Sequence, residues 1–219
     1  MKLLLTSTGI TNDSLKQAAT DLMGKQFNEA SVVYIPTAAF AESGSHEWLM
    51  TDLNRTYGLG WGQFNALELN GLPKEVIVKR LQAADAIYVE GGNVYHLARS
   101  IIGNDLTDVF LELLDAKVYI GASAGSMVFS KNLSERTAAI FGESDELYQI
   151  HAKQAASPFN LFDWYLKPHF YSQPERDDAW LDNLKTQIDF PVYAIDDNTA
   201  LKVIDGGAQV VTEGKWRLI

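Results

Sequence analysis

The chain has 219 residues, 47% of them hydrophobic, which is enough for one full core, and 1–219 reads as a single α/β domain. Its 18 Lys plus Arg against 28 Asp plus Glu give a formal net charge of -10 with no basic cluster, so nucleic acid and anionic membranes are poor partners. The absence of cysteine excludes disulfides, thiolate catalysis and zinc–thiolate sites and suits a reducing, cytoplasmic compartment.

The opening MKLLLTSTG falls short of a secretory apolar region and reads as a strand over Lys2–Thr6. Asn12 or Asp13 caps a helix in which Leu15, Ala18, Ala19, Leu22 and Met23 recur at helical spacing, and Gly24 stops it. Ser31–Ile35 is a second strand, continuously apolar from Val32 as in a parallel sheet buried on both faces, and Pro36 ends it. Pro36–Ser45 is a polar loop at the strand end. A helix over His46–Tyr57 follows and is broken by the glycines from Gly58 to Gly62. Phe64–Leu69 alternates as a strand, Pro73 opens a short helix to Leu81, and Asp85–Glu90 is a strand leading into Gly91-Gly92-Asn93. Val94, Leu97, Ala98 and Ile101 then trace a helix, Leu106–Leu114 another, and Lys117 begins the next strand. This alternation predicts a doubly wound, mostly parallel sheet.

Beyond residue 130 the pattern weakens. Ala138–Phe141 reads as a strand edge, Glu143, Asp145 and Glu146 as an acidic loop, and Phe159–Leu166 as an aromatic-rich segment before Pro168-His169-Phe170. Ser172-x-x-Glu175 with Pro174 has the form of a capping box opening a helix through Trp180, Leu184 and Ile188. Strands over Val192–Asp196, Ala200–Ile204, Gln209–Thr212 and Lys215–Leu218, joined by Asp197-Asn198 and glycine turns, form a terminal meander at an antiparallel edge.

Chemistry concentrates in KVYIGASAGSMVF, Lys117–Phe129. Gly121-x-Ser123-x-Gly125 between an apolar strand and a helix has the spacing of a nucleophile elbow, with small residues around the serine and the Ala124 N–H aimed at an oxyanion position. Of the four histidines, His169 is the best placed general base: 169 minus 123 leaves 46 residues for a crossover back to the sheet. His96 reads as a packed helix residue, His46 as helix-start surface and His151 as solvated. Glu143, Asp145, Glu146 and Asp163 lie between serine and histidine as candidates to orient the ring. Neither HExxH nor a close ligand set is present, and GxGxxG and GxxxxGK(S/T) are missing, so no metal, nucleotide or other cofactor is expected. The Gly91-Gly92 backbone could complete an oxyanion hole or form a turn without a ligand.

Four segments in this order carry a family resemblance: Pro36–Ala38 (PTA), Glu90–Asn93 (EGGN), Gly121–Ser126 (GASAGS) and Lys167–Phe170 (KPHF). Together they resemble the peptidase E and cyanophycinase family of serine peptidases, family S51. The resemblance implies a three-layer, flavodoxin-like or class I glutamine-amidotransferase-like α/β sandwich. It implies Ser123 as nucleophile, His169 as base, Gly92 beside Ala124 as oxyanion donors, and an acid placed near Asp145, with Glu143 next. It further implies hydrolysis of small peptides, with N-terminal aspartate as one preference; a monomer or homodimer is expected. Two other readings remain open: a small-molecule esterase or amidase with the same triad, and a non-catalytic α/β binding module.

Overall fold

The computed structural model describes residues 1–152, 155–172 and 176–219. Strand β1 (Lys2–Thr6) leads into helix α1 (Asp13–Met23). The Asn12 side chain caps this helix by accepting the Leu15 N–H, and Gly24 ends it in left-handed geometry. Strand β2 (Ser31–Ile35) runs into a 3₁₀ turn over Thr37–Ala41 inside the expected loop, then helix α2 (Glu47–Tyr57) and strand β3 (Gln63–Ala66). Helix α3 (Lys74–Ala83) is entered through Pro73, and strand β4 (Ala86–Val89), helices α4 (Val94–Gly103) and α5 (Thr107–Leu113), strand β5 (Val118–Ala122) and the single turn α6 (Ala124–Met127) complete the alternation.

The second half holds α7 (Glu135–Phe141), α8 (Ser144–Gln149), β6 (Tyr165–Lys167), α9 (Asp178–Leu184), β7 (Val192–Ile195), β8 (Thr199–Ile204), β9 (Gly207–Thr212) and β10 (Trp216–Leu218). Among the described residues the main sheet has seven strands in the order β3-β2-β4-β5-β1-β8-β9. It is parallel from β3 to β1 and antiparallel from β1 through β8 to β9. Strands β10, β7 and β6 form a separate small sheet. The α/β sandwich expected from the alternation is therefore present.

Pleating explains the layers. Leu3, Leu5, Val33, Ile35, Ile87, Val89 and Tyr119 face one side, where they pack with residues of α3, α4 and α5. Leu4, Val32, Tyr34, Tyr88, Val118 and Ile120 face the other, where Leu15, Ala18, Ala19 and Leu22 of α1 cover them. Both faces are thus buried, and the strands read as continuous apolar runs for that reason.

Three expectations change. Ala138–Phe141 is the end of α7, because Ser134 accepts the Thr137 N–H at one end and left-handed Gly142 closes the other, with Ala138 and Phe141 buried at helical spacing. The acidic stretch after it is α8 rather than a loop. The terminal strands are split between two sheets: β8 and β9 extend the main sheet, whereas β7 and β10 pair with each other in the small one. The expected capping box at Ser172–Glu175 includes 173–175, outside the described residues; α9 is capped by Asp177, which accepts the Trp180 N–H, and ends at Leu184, short of the expected Ile188.

Candidate active site

Ser123 stands at the carboxyl end of the central strand β5, where ligands gather in open α/β sheets. Its backbone has φ 45° and ψ -108°, a left-handed conformation that costs a serine about 1–3 kcal/mol. Surrounding contacts enforce it: the Ser123 N–H donates to the Thr6 carbonyl at 3.1 Å, and a side chain on Gly125 would overlap the Val89 carbonyl oxygen. The elbow is therefore braced by β1 on one side and β4 on the other, and the small residues of GASAG are steric necessities.

His169 follows the buried strand β6 and itself has positive φ (60°). Its Nε2 lies 3.2 Å from Ser123 Oγ, and its Nδ1 lies 2.9 Å from Asp197 Oδ1. A carboxylate can only accept, so the Nδ1 proton points to Asp197 and the Nε2 lone pair faces the serine hydroxyl. The Ser7 hydroxyl donates to Asp197 Oδ1 at 2.6 Å and accepts the His169 backbone N–H at 2.8 Å, and Ser172 donates to Asp197 Oδ2 at 2.7 Å. Burial would raise the Asp197 pKa. Hydrogen bonds from His169, Ser7 and Ser172 outweigh it and hold the carboxyl well below the usual carboxylate range. Asp197 thus faces the His169 ring as a carboxylate.

The acid is where the sequence expectation differs. Asp145 lies on the exposed side of α8 and makes no bond to His169, because the α7–α8 hairpin carries it away from the ring. Asp163 pairs with Lys131 at the surface, and Glu143 is buried against Lys167. Asp197 lies between β7 and β8, in what reads from sequence as a plain turn. It follows the histidine in the chain, outside the serine-to-histidine interval in which the sequence expectation puts the acid. The usable signal was Asp196-Asp197 at the end of an apolar strand. Asp196 holds the turn by accepting the Asn198 and Lys215 N–H groups, and Thr11 Oγ1 donates to the Asp197 carbonyl. The remaining histidines are apart from the serine: His46 Nε2 contacts the Ala39 carbonyl at 3.1 Å, His151 is exposed, and burial lowers the His96 pKa in α4.

The glycine loop packs against the PTA segment. A Cβ on Gly92 (φ 123°) would sit 2.5 Å from the Ala38 carbonyl, so only glycine fits there, and the Asn93 N–H donates to Ala38 O at 3.0 Å. Asn93 then caps α4 by accepting the His96 N–H, and its Nδ2 donates to the Glu146 carbonyl, docking α8. Glu90 accepts the Gly91 N–H and the Tyr34 hydroxyl; burial pushes its pKa up to about 7 despite both bonds. Gly92 lines the cleft with Ser123. Ala124, fully buried, begins α6, where its N–H has no intrahelical acceptor.

Ser123 and His169 open onto a cleft of about 450 Å³. Among the described residues no group of three or more His, Asp or Glu side chains is arranged to hold a metal ion, and no helix is long and apolar enough to cross a membrane.

Known proteins match this chain over most of its length. The family model described as "Peptidase family S51" matches residues 3–211. An uncharacterized peptidase of Pasteurella multocida (strain Pm70) is 28% identical over 177 residues, 79% of this chain and 81% of that protein. An uncharacterized peptidase of Listeria monocytogenes is 30% identical over 99 residues, 45% of this chain and 46% of the other. A crystal structure from Listeria monocytogenes EGD-e, of a protein provisionally assigned to peptidase E, superposes with a TM-score of 0.77 at 22% identity, covering 97% of this chain and 98% of that one. The crystal structure of a peptidase from an acI-B1 actinobacterium gives 0.67 at 20% identity, over 98% and 88% of the two chains. At these identities the structural matches speak to the fold.

Proposed function

The chain belongs to peptidase family S51 and is a serine-type peptidase, and from that premise we propose that it hydrolyses short peptides through an acyl-enzyme on Ser123. The observation that carries this reading is the His169 ring, which reaches Ser123 with one nitrogen and Asp197 with the other. Nε2 takes the hydroxyl proton as Oγ bonds to the peptide carbonyl carbon. Asp197 steadies the imidazolium, and the Gly92 and Ala124 N–H groups receive the oxyanion. His169 then gives the proton to the departing amine as the C–N bond breaks. Water, deprotonated by the same nitrogen, releases the acid and restores the serine.

A cleft of about 450 Å³ suits a substrate of dipeptide size better than a folded protein. An N-terminal aspartate would meet two lining cations, Lys167 and Arg176, of which Lys167 is already paired with Glu143. The peptide is a small-molecule partner of a monomer or homodimer, Ser123, His169 and Asp197 come from one chain, and the absence of cysteine suits cytoplasmic residence. A dipeptide library with Ser123→Ala as control tests the reading. It expects cleavage by the native chain and none by the variant. Turnover of acyl esters without any dipeptide would replace it by the esterase reading, and failure of a serine-directed phosphonate to label Ser123 would remove catalysis altogether.

A further inference from the structure

We propose that Ser7 is a positioning residue for the hydrolysis: its hydroxyl holds His169 and Asp197 in the one arrangement that leaves Nε2 free to take the Ser123 proton. This rests on the peptidase reading above. Strand β1 lies between β5, whose end carries Ser123, and β8, which follows Asp197, so its tip meets both. Two consecutive residues there touch all three groups. The Thr6 carbonyl accepts the Ser123 N–H, and Ser7 Oγ contacts His169 and Asp197. Thr6 is itself fixed, its hydroxyl donating to the Gly121 carbonyl and accepting the Gly9 N–H, each at 2.7 Å.

Ser7 is fully buried, and its hydroxyl has a single proton to place among its neighbours. Asp197 Oδ1 lies 2.6 Å away and, as a carboxylate, can only accept, so the proton goes there. The lone pairs of Ser7 Oγ then face His169 twice, at its backbone N–H (2.8 Å) and at Nδ1 (3.3 Å). Nδ1 therefore meets two acceptors, Asp197 Oδ1 and Ser7 Oγ. Only a proton on Nδ1 satisfies both, and that tautomer leaves the Nε2 lone pair toward Ser123. The backbone contact acts separately. His169 has φ 60°, which a residue other than glycine holds only against strain, and the bond from its N–H to Ser7 ties that backbone to β1. Ser172 also donates to Asp197, but to Oδ2, and its hydroxyl makes no bond to the histidine.

The test uses the full chain with two readouts: kcat and KM on a dipeptide that the native protein cleaves, and labelling of Ser123 by a serine-directed fluorophosphonate, followed for both rate and final extent. Ser7→Ala should lower kcat about 10–10²-fold with KM changed less than about twofold, because a misplaced base costs rate rather than binding. Its Ser123 should be labelled to the full native extent, but about tenfold or more slowly. Ser7→Thr, which keeps the hydroxyl, should recover most of the lost kcat, and Ser172→Ala should lose less than Ser7→Ala. Should Ser7→Ala fail to fold, Ser7→Cys, similar in size but a weaker donor and acceptor, should show the same fall in kcat. Native kcat in a folded Ser7→Ala or Ser7→Cys, or a rise in KM alone, would overturn the proposal while leaving a working peptidase. So would labelling at the native rate to a reduced extent, which marks a residue needed only for folding. A native chain that is neither labelled nor active on any dipeptide would overturn the peptidase reading and this proposal with it.

Discussion

Asp197 Oδ1 lies 2.9 Å from His169 Nδ1, across 28 residues of chain, and it stands after the histidine rather than before it. The order is serine, histidine, acid. Asp197→Asn should reduce kcat/KM by about 10³–10⁴-fold, because an amide cannot enforce the tautomer that leaves Nε2 free to accept. Asp145→Asn should be close to native. Steady-state rates on any dipeptide the native chain cleaves decide between them, and the reverse pattern would return the role to Asp145.

Strain at Ser123 gives a stability prediction separable from activity. Ser123→Ala and Ser123→Gly should both be inactive. Only glycine relaxes the backbone at φ 45°, so Ser123→Gly should be more stable than Ser123→Ala by about 1 kcal/mol in denaturant unfolding. Equal midpoints would mean that the elbow is not strained.

Gly92→Ala places a methyl 2.5 Å from the Ala38 carbonyl in a backbone conformation alanine avoids. The loop must shift and carry its N–H with it. Activity should fall about 10²–10³-fold, the size of one lost oxyanion donor, with a lower melting temperature. A variant with native kcat would assign the oxyanion to other groups.

Glu90 predicts a pH effect. Its pKa is raised from 4.5 to about 7 by burial, so between these values the folded chain holds a proton that the unfolded chain has released. Stability from this group therefore declines as pH rises through that window. Glu90→Gln should show a smaller loss of melting temperature between about pH 5.5 and about pH 8 than the native chain. A parallel decline in both proteins would show that Glu90 does not titrate there.

The parallel half of the fold was legible because its strands are buried on both faces and its helices carry clear caps, as at Asn12 and Gly24. Ser123 and His169, whose Oγ and Nε2 lie 3.2 Å apart, stand out in the sequence because an elbow demands small neighbours and a base demands a histidine. Asp197 was not, since its role depends on β8 lying beside β1, a pairing between residues at opposite ends of the chain. Nor does sequence separate the carboxyls of 143–146: Glu143, just before α8, turns in to Lys167, whereas Asp145 in its first turn faces out, a distinction set by where α8 begins.

Ser7 joins the two ends of the site, bonding both the His169 backbone and Asp197 at the tip of β1. This gives the protein an order of assembly. A chain emerging from the ribosome exposes Ser123 and then His169 while the carboxylate and its strand are still unmade. On the proposed mechanism hydrolysis needs β8 paired with β1, so a nascent or truncated chain lacking that strand should carry a serine and a histidine without the means to cut its neighbours. Chains halted before Val192 and tested for phosphonate labelling should stay unmodified.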